Sequence, residues 1–328
     1  MSHETRTPPG LLVGAVLAVL LVMHADVVHA AVTATDLDNP GYLTTAFNRL
    51  VGMLNTAVNK ALANGPYLTW ARNLLIGAFV FKIFEILFKY IWGGANVADL
   101  VAVLFIGIIV TALFSTYAHW STAIYLAGFE LGRLVQGQAI GDTGIMGPVI
   151  FINKVLANVT IKDESFFSLG VTQIIMAFIL LVGEAMVAGA SYFAALWPSL
   201  VFAVIKLAGP VVFFSLFHER ISWIFDSWLR LLFGCAFLAL IARICIIVIC
   251  ILFQAMFDVG YSQSAGTQVI VITTENFGAF LYVVSAAVVS LALLFAASGI
   301  AAKMAMGAEI GLGKAVGQIA RSIAMSVL

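Results

Sequence analysis

GPVVFFSLFHERISWIFDSWLR, residues 209–230, interrupts a second half that is otherwise almost entirely apolar. A Gly-Pro step is followed by Glu219, Arg220 and Asp226, by Trp223 and Trp228, and by a closing arginine, Arg230. Hydrophobic stretches of membrane-spanning length lie on either side. A connector of this kind fixes where one span ends and the next begins, because the charges stay in water and tryptophans settle at the headgroup level. Its simplest reading is an interfacial belt with a basic cytoplasmic anchor. The functional alternative is a docking surface for a cytoplasmic partner.

Outward from this hinge, the composition points the same way. The chain has 328 residues, 62% of them hydrophobic and 10% charged, and a mean hydropathy of +1.09. A soluble domain cannot bury that much apolar surface, so the expected fold is all-α, a polytopic helical membrane protein with about five spans plus amphipathic helices. The net charge is zero and no basic block occurs, so nucleic-acid binding by a charged patch or tail has no support in the sequence. Cys235, Cys245 and Cys250 share one apolar segment and read as small buried hydrophobes, not as a disulfide framework.

Residues 1–30 read as a signal peptide: Arg6, a short apolar run over 10–23, and a small-residue site at Val28-His29-Ala30. An uncleaved anchor is the alternative. Residues 31–67 are expected to form a periplasmic amphipathic helical region at the mature N-terminus, with Phe47, Leu54, Val58 and Leu62 at helical spacing, ended by Asn64-Gly65-Pro66. That helix either packs on the rest of the protein or lies on the outer membrane surface. Residues 68–118 hold the first apolar helices, and Lys82, Glu85 and Lys89 form one polar stripe on the first of them. Residues 119–164 are expected to be a loop domain, opening with an amphipathic helix whose polar side carries Glu130 and Arg133. Residues 165–302 are the transmembrane core, with two helices expected over 165–217 from its length at about 20 residues per span, the second kinked or broken by Pro198 and Gly209-Pro210.

Lysine and arginine placement orients the chain. Arg220, Arg230 and the tail over 303–328 are basic, whereas residues 258–275 carry no lysine or arginine. The hinge and C-terminus are therefore expected in the cytoplasm and the 258–275 loop in the periplasm. Six full spans from an outside N-terminus would leave the C-terminus outside. Either residues 68–92 lie along the interface or one element within 165–217 is re-entrant, and the charge rule leans to the first.

No catalytic, metal-binding or cofactor-binding constellation is present, so a non-enzymatic role without a cofactor is expected. His119 and His218 have no ligand-spaced partner. The intramembrane charges Glu184, Lys206 and Arg243 are the functional candidates, because ionisable groups at bilayer depth face a wet cavity or a protein interior. They read as a polar pathway, or as helix-locking pairs of Glu184 with Lys206 or Arg243. In the tail, Gly307 with Gly311 and Gly313 with Gly317 make two GxxxG motifs, a spacing that permits close helix packing in an oligomer.

LAGPVVFFSLFHERISWIFDSWLRLLFG, residues 207–234, resembles the corresponding stretch of the TrbL family, polytopic inner-membrane subunits of type IV secretion and conjugation machines. The match rests on Pro210, Phe225, Trp228 and Leu229. The resemblance implies a homo-oligomeric channel or assembly-platform subunit, in a pentamer or hexamer. Its implied partners are minor pilin or stalk subunits, the inner-membrane scaffold and secretion ATPases. Its implied cargo is protein or single-stranded DNA, and its place is the bacterial inner membrane. It also implies a periplasmic 119–164 loop, and hence a re-entrant element within 165–217. The alternative from another class is an ion-coupled solute transporter, motivated by the three intramembrane charges and the proline-bearing helix.

Overall fold

The computed structural model describes residues 40–63, 65–161, 171–261, 270–272 and 277–306. The signal segment over 1–30, residues 162–170 of the loop and the tail glycines Gly307, Gly311, Gly313 and Gly317 lie outside the described residues. Contacts divide the chain into two units, Met1–Ala46 and Phe47–Leu328. Of the first, only the opening of helix α1 (Pro40–Leu62) is described. The second unit is considered below.

In chain order, the remaining elements are α2 (Pro66–Ile91), α3 (Val97–Ser115), α4 (Tyr117–Ile140) and α5 (Gly147–Ala157). After the short strand β1 (Val159–Ile161) come α6 (Val171–Val212) and a 3-10 turn (Phe213–Phe217). The chain then forms α7 (Trp223–Phe257), strand β2 (Ile270–Ile272) and α8 (Phe277–Met306). Among the described residues, four helices are long and apolar enough to cross a membrane: Val97–Ser115, Ile174–Phe217, Trp223–Phe257 and Gly278–Ala305.

Helix α7 is the centre of the unit, packed against α4, α6 and α8. Its sequence is apolar on every side, the pattern of a helix surrounded by others and not of one with a solvent face. Asp226 in its first turn suits the positive end of the helix dipole, and Asp258 closes it in the left-handed region at φ 52°.

Contacts along α7 give the direction of its neighbours. Tyr117 stacks near Trp228, a Cβ on Gly128 would meet Ala236, and one on Gly132 would meet Arg243. The residue numbers rise together, so α4 runs parallel to α7. Helix α6 runs antiparallel to it, since Trp228 bonds to Ile205 and Cys235 to Pro198. Gly234 approaches Ala305 at one end of α7, while Phe253 and Phe280 share an apolar cluster at the other, so α8 is antiparallel as well.

Two ends result. At one lie the hinge, the start of α4 and the end of α8. At the other lie α5, the 258–261 turn and a parallel two-stranded ladder that pairs Val159, Thr160 and Ile161 with Ile270, Val271 and Ile272. Tyr261 donates a hydrogen bond to Asp142 there, and Cys250 Sγ lies 3.5 Å from the Pro148 carbonyl. Helix α1 reaches both ends from Phe47 onward: Phe47 enters the cluster around Ile249 and Phe253, and Val58 and Leu62 enter the cluster around Phe213 and Trp228. From Phe47 onward α1 thus packs on the protein.

Two expectations change. Residues 165–217 do not form two helices, and no re-entrant element occurs from Val171 to Val212: α6 is one helix of 42 residues with Pro198 and Pro210 inside it. At 1.5 Å per residue it is about 63 Å long, twice the hydrocarbon thickness. The amphipathic helix expected in the loop domain is α4, and it lies along α7 through the bundle; the loop proper starts at Gly141, whose φ of 74° ends α4.

Candidate functional site

The reason α6 survives Pro210 lies in residues far from it in sequence. Proline has no N–H, so the carbonyl of Lys206, four residues back, loses its helical donor, and the ring crowds the carbonyls beside it. Side chains from three other helices supply donors. The Tyr117 hydroxyl donates to Lys206 O at 2.6 Å, the Tyr67 hydroxyl donates to Leu207 O, and Trp228 Nε1 donates to Ile205 O at 2.9 Å. Tyr117 reaches its carbonyl only because residue 209 is glycine: a Cβ there would overlap the phenol oxygen.

Around this repair the hinge residues condense. Pro210, Phe225, Trp228 and Leu229 are all buried. Phe213 stands 5.3 Å from Phe225, ring centre to ring centre, and Trp228 stands 5.6 Å from Phe225 and 5.7 Å from both Tyr117 and Trp120. Several of these pairs are edge-to-face or tilted, the arrangement that ring quadrupoles favour. The interfacial-belt reading therefore fails for Trp228, which is core, and remains compatible with Trp223, which is 63% exposed.

The hinge is also capped from outside. Phe79 of α2 lies 5.4 Å from Phe217, and Phe114 of α3 lies 5.6 Å from Phe213. The expected stripe on α2 is an intrahelical triad: Glu85 accepts from Lys82 at 2.9 Å and from Lys89 at 2.6 Å, with His218 Nδ1 at 3.8 Å. The bonds from Lys89 and Lys82 hold the Glu85 carboxyl at about 2. Burial, then Lys82, push His218 down, and Glu85 opposes them.

A pH dependence follows. The folded chain favours neutral His218, whereas the unfolded chain takes up a proton near the ordinary value of 6.5. Stability at this contact should fall as pH drops below that value. The Glu85 contribution is present above its ordinary value of 4.5 and is lost only as pH falls toward about 2. The protection of the amides over residues 213–222, taken relative to intrinsic exchange at each pH, should therefore fall between pH 7 and pH 5, and His218→Gln should remove that change.

The three intramembrane charges do not meet. Glu184 and Lys206 lie on one continuous helix, 22 positions and thus about 33 Å apart, so they cannot pair. Lys206 is buried, donates from Nζ to Asn59 Oδ1 of α1 at 3.1 Å and sits 5.7 Å from the Phe202 ring centre. Glu184 is half-buried on an apolar wall with Leu156, Val283 and Ala287, and forms no ion pair among the described residues.

Arg243 is 7% exposed, near the middle of the 35-residue α7. Its Nη1 donates to Phe129 O at 3.2 Å and its guanidinium lies 4.6 Å from the Phe129 ring centre, a cation–π distance. It lines a cavity of about 20 Å³ together with Gln136, Tyr125 and Pro148. Gln136 is fully buried and donates from Nε2 to Gly144 O at 2.7 Å. The helix-locking role expected for Arg243 is thus served by a backbone carbonyl and a ring, and not by a carboxylate.

Tyr117, Tyr125, Asn59 and Gln136 were not singled out by sequence. One signal for the α4–α7 seam was available: Gly128 and Gly132 are a GxxxG pair inside a helix, and both close against α7. No protein-family model matches the chain, and no curated protein matches it either.

Proposed function

We propose that this chain is a TrbL-type subunit of a type IV secretion or conjugation apparatus, a non-enzymatic channel or assembly platform in the bacterial inner membrane. The observation that carries the reading is the hinge. Of the residues of the resemblance, Phe225, Trp228 and Leu229 meet in one buried cluster that joins α6 to α7, and Pro210 is buried within the uninterrupted helix. The four apolar helices support a membrane location. The shared position of α5 and the 258–261 turn at one end supports a common side for both, and the lysine-free 258–275 loop makes that side the periplasm in this reading. The hinge and C-terminus then face the cytoplasm, where secretion ATPases would meet them. Pilin or stalk subunits and the scaffold would meet the opposite end, and protein or single-stranded DNA would be the cargo.

The transporter alternative finds less support. A solute site needs convergent polar groups at mid-depth. Glu184, Lys206 and Arg243 are dispersed, and a cleft of about 580 Å³ between α6, α7 and α8 is lined by apolar residues such as Phe193, Trp197 and Phe295, with Ser298 the polar exception. Purification in mild detergent separates the two readings. A ring of about five or six copies supports the secretion subunit; a monomer or dimer that binds a small solute overturns it.

A further inference from the structure

Helix α4 buries one face and exposes the other. Ser121, Tyr125, Gly128, Gly132 and Gln136 are buried against the bundle. On the opposite side, His119, Glu130 and Arg133 are exposed together with Ala123 and Ala127 and with the apolar Leu126, Leu131, Leu134 and Val135. Glu130 and Arg133 form an ion pair of 2.6 Å with side chains 49% and 45% exposed.

Their depth makes this face informative. Gly132, between the two charges in sequence, packs on Ala239 and Arg243, near the middle of α7, the most apolar of the four candidate spans. An exposed ion pair at that level faces either hydrocarbon or something wet. Hydrocarbon disfavours it, because both charges would lose hydration with only each other as compensation. A helix turned to lipid at mid-depth has the surface seen on α8 instead, whose exposed side chains in mid-helix, Val288, Val289 and Phe295 among them, carry no charge.

We infer that the outer face of α4, from His119 to Arg133, is turned to water within the membrane and forms one wall of an aqueous passage completed by further copies of the chain. This rests on the reading of the chain as an oligomeric membrane subunit, and it names the face by which that subunit meets the passage. Glu130 and Arg133 keep their ion pair at the wall, where water solvates the remaining donors and acceptors. The neutral surfaces of α3 and α8 are left to lipid.

Single cysteines at Ala123, Ala127 and, as a lipid-facing control, Val288 test this in native membranes with a charged, membrane-impermeant methanethiosulfonate. The native cysteines are buried and set a low blank. Only a thiolate in water reacts, so Ala123→Cys and Ala127→Cys should label about 100-fold faster than Val288→Cys. Labelling no faster than the control from either side of the membrane would place the face in lipid and overturn the inference. Oxidative cross-linking of Ala127→Cys between copies without labelling would show a dry contact and would equally overturn it. Failure of the functional reading looks different: fast labelling with no effect of the modification on DNA or protein transfer keeps the water-facing wall and removes the secretion role.

Discussion

Gly209→Val should lower the stability of the folded chain by about 4 kcal/mol, the largest effect expected from a change that adds so few atoms. The new side chain would occupy the place of the Tyr117 hydroxyl. Overpacking of a core costs about 1–3 kcal/mol. Expelling Tyr117 also leaves the Lys206 carbonyl, already deprived of its helical donor by Pro210, without a partner in a buried site, at a further cost of about 1–3 kcal/mol. Tyr117→Phe isolates the second effect, because it removes the hydroxyl and keeps the ring against Phe213 and Trp228. It should cost about 1–2 kcal/mol. Reversible unfolding in bicelles, followed by tryptophan fluorescence, measures both. A Gly209→Val protein as stable as the parent would mean that Tyr117 does not seal the proline gap.

Gly128→Leu should separate α4 from α7 and cost about 3 kcal/mol or more. Here the obstacle is the backbone carbonyl of Ala236, which cannot rotate aside as a side chain can. The whole seam must open, which also draws Phe129 away from Arg243 and strips the guanidinium of its carbonyl acceptor and its ring. A buried charge left without partners is among the few defects that exceed the usual range for one substitution. Gly128→Ala should already be measurable, since the added Cβ alone meets Ala236. Loss of the folded protein from membranes, restored by no second-site change on α8, is the expected pattern. Normal accumulation of Gly128→Leu would contradict the seam.

The sequence was most readable where physics is local. The apolar runs that became α3, α7 and α8 follow from length and composition alone, and the ends of α7 follow from the charges of the hinge and the polar turn after Phe257. The fate of the two prolines was not local. Whether Pro210 breaks a helix depends on donors from Tyr67, Tyr117 and Trp228, up to 143 positions away, and no property of residues 198–210 announces them. The same holds for α4. Its polar residues made it look like a helix outside the bilayer, whereas its glycines and the buried Tyr125 and Gln136 fit it to α7. The pairing imagined for Glu184, Lys206 and Arg243 failed for a geometric reason: an unbroken α6 holds the first two at fixed, distant levels.

The continuous α6 leaves no re-entrant element between Val171 and Val212. Helices α4 and α7 run from the hinge end to the loop end, and α6 and α8 return. The hinge and the end of α8 then share one side, and the α5 region shares the other with the 258–261 turn. Sidedness of labelling tests this arrangement most directly. Lys154, Arg220 and Asp258 are all exposed, so single cysteines can be placed at each and probed in spheroplasts and in inverted vesicles. Lys154→Cys and Asp258→Cys should react from one side and Arg220→Cys from the other. Reaction of Lys154→Cys from the same side as Arg220→Cys would contradict it.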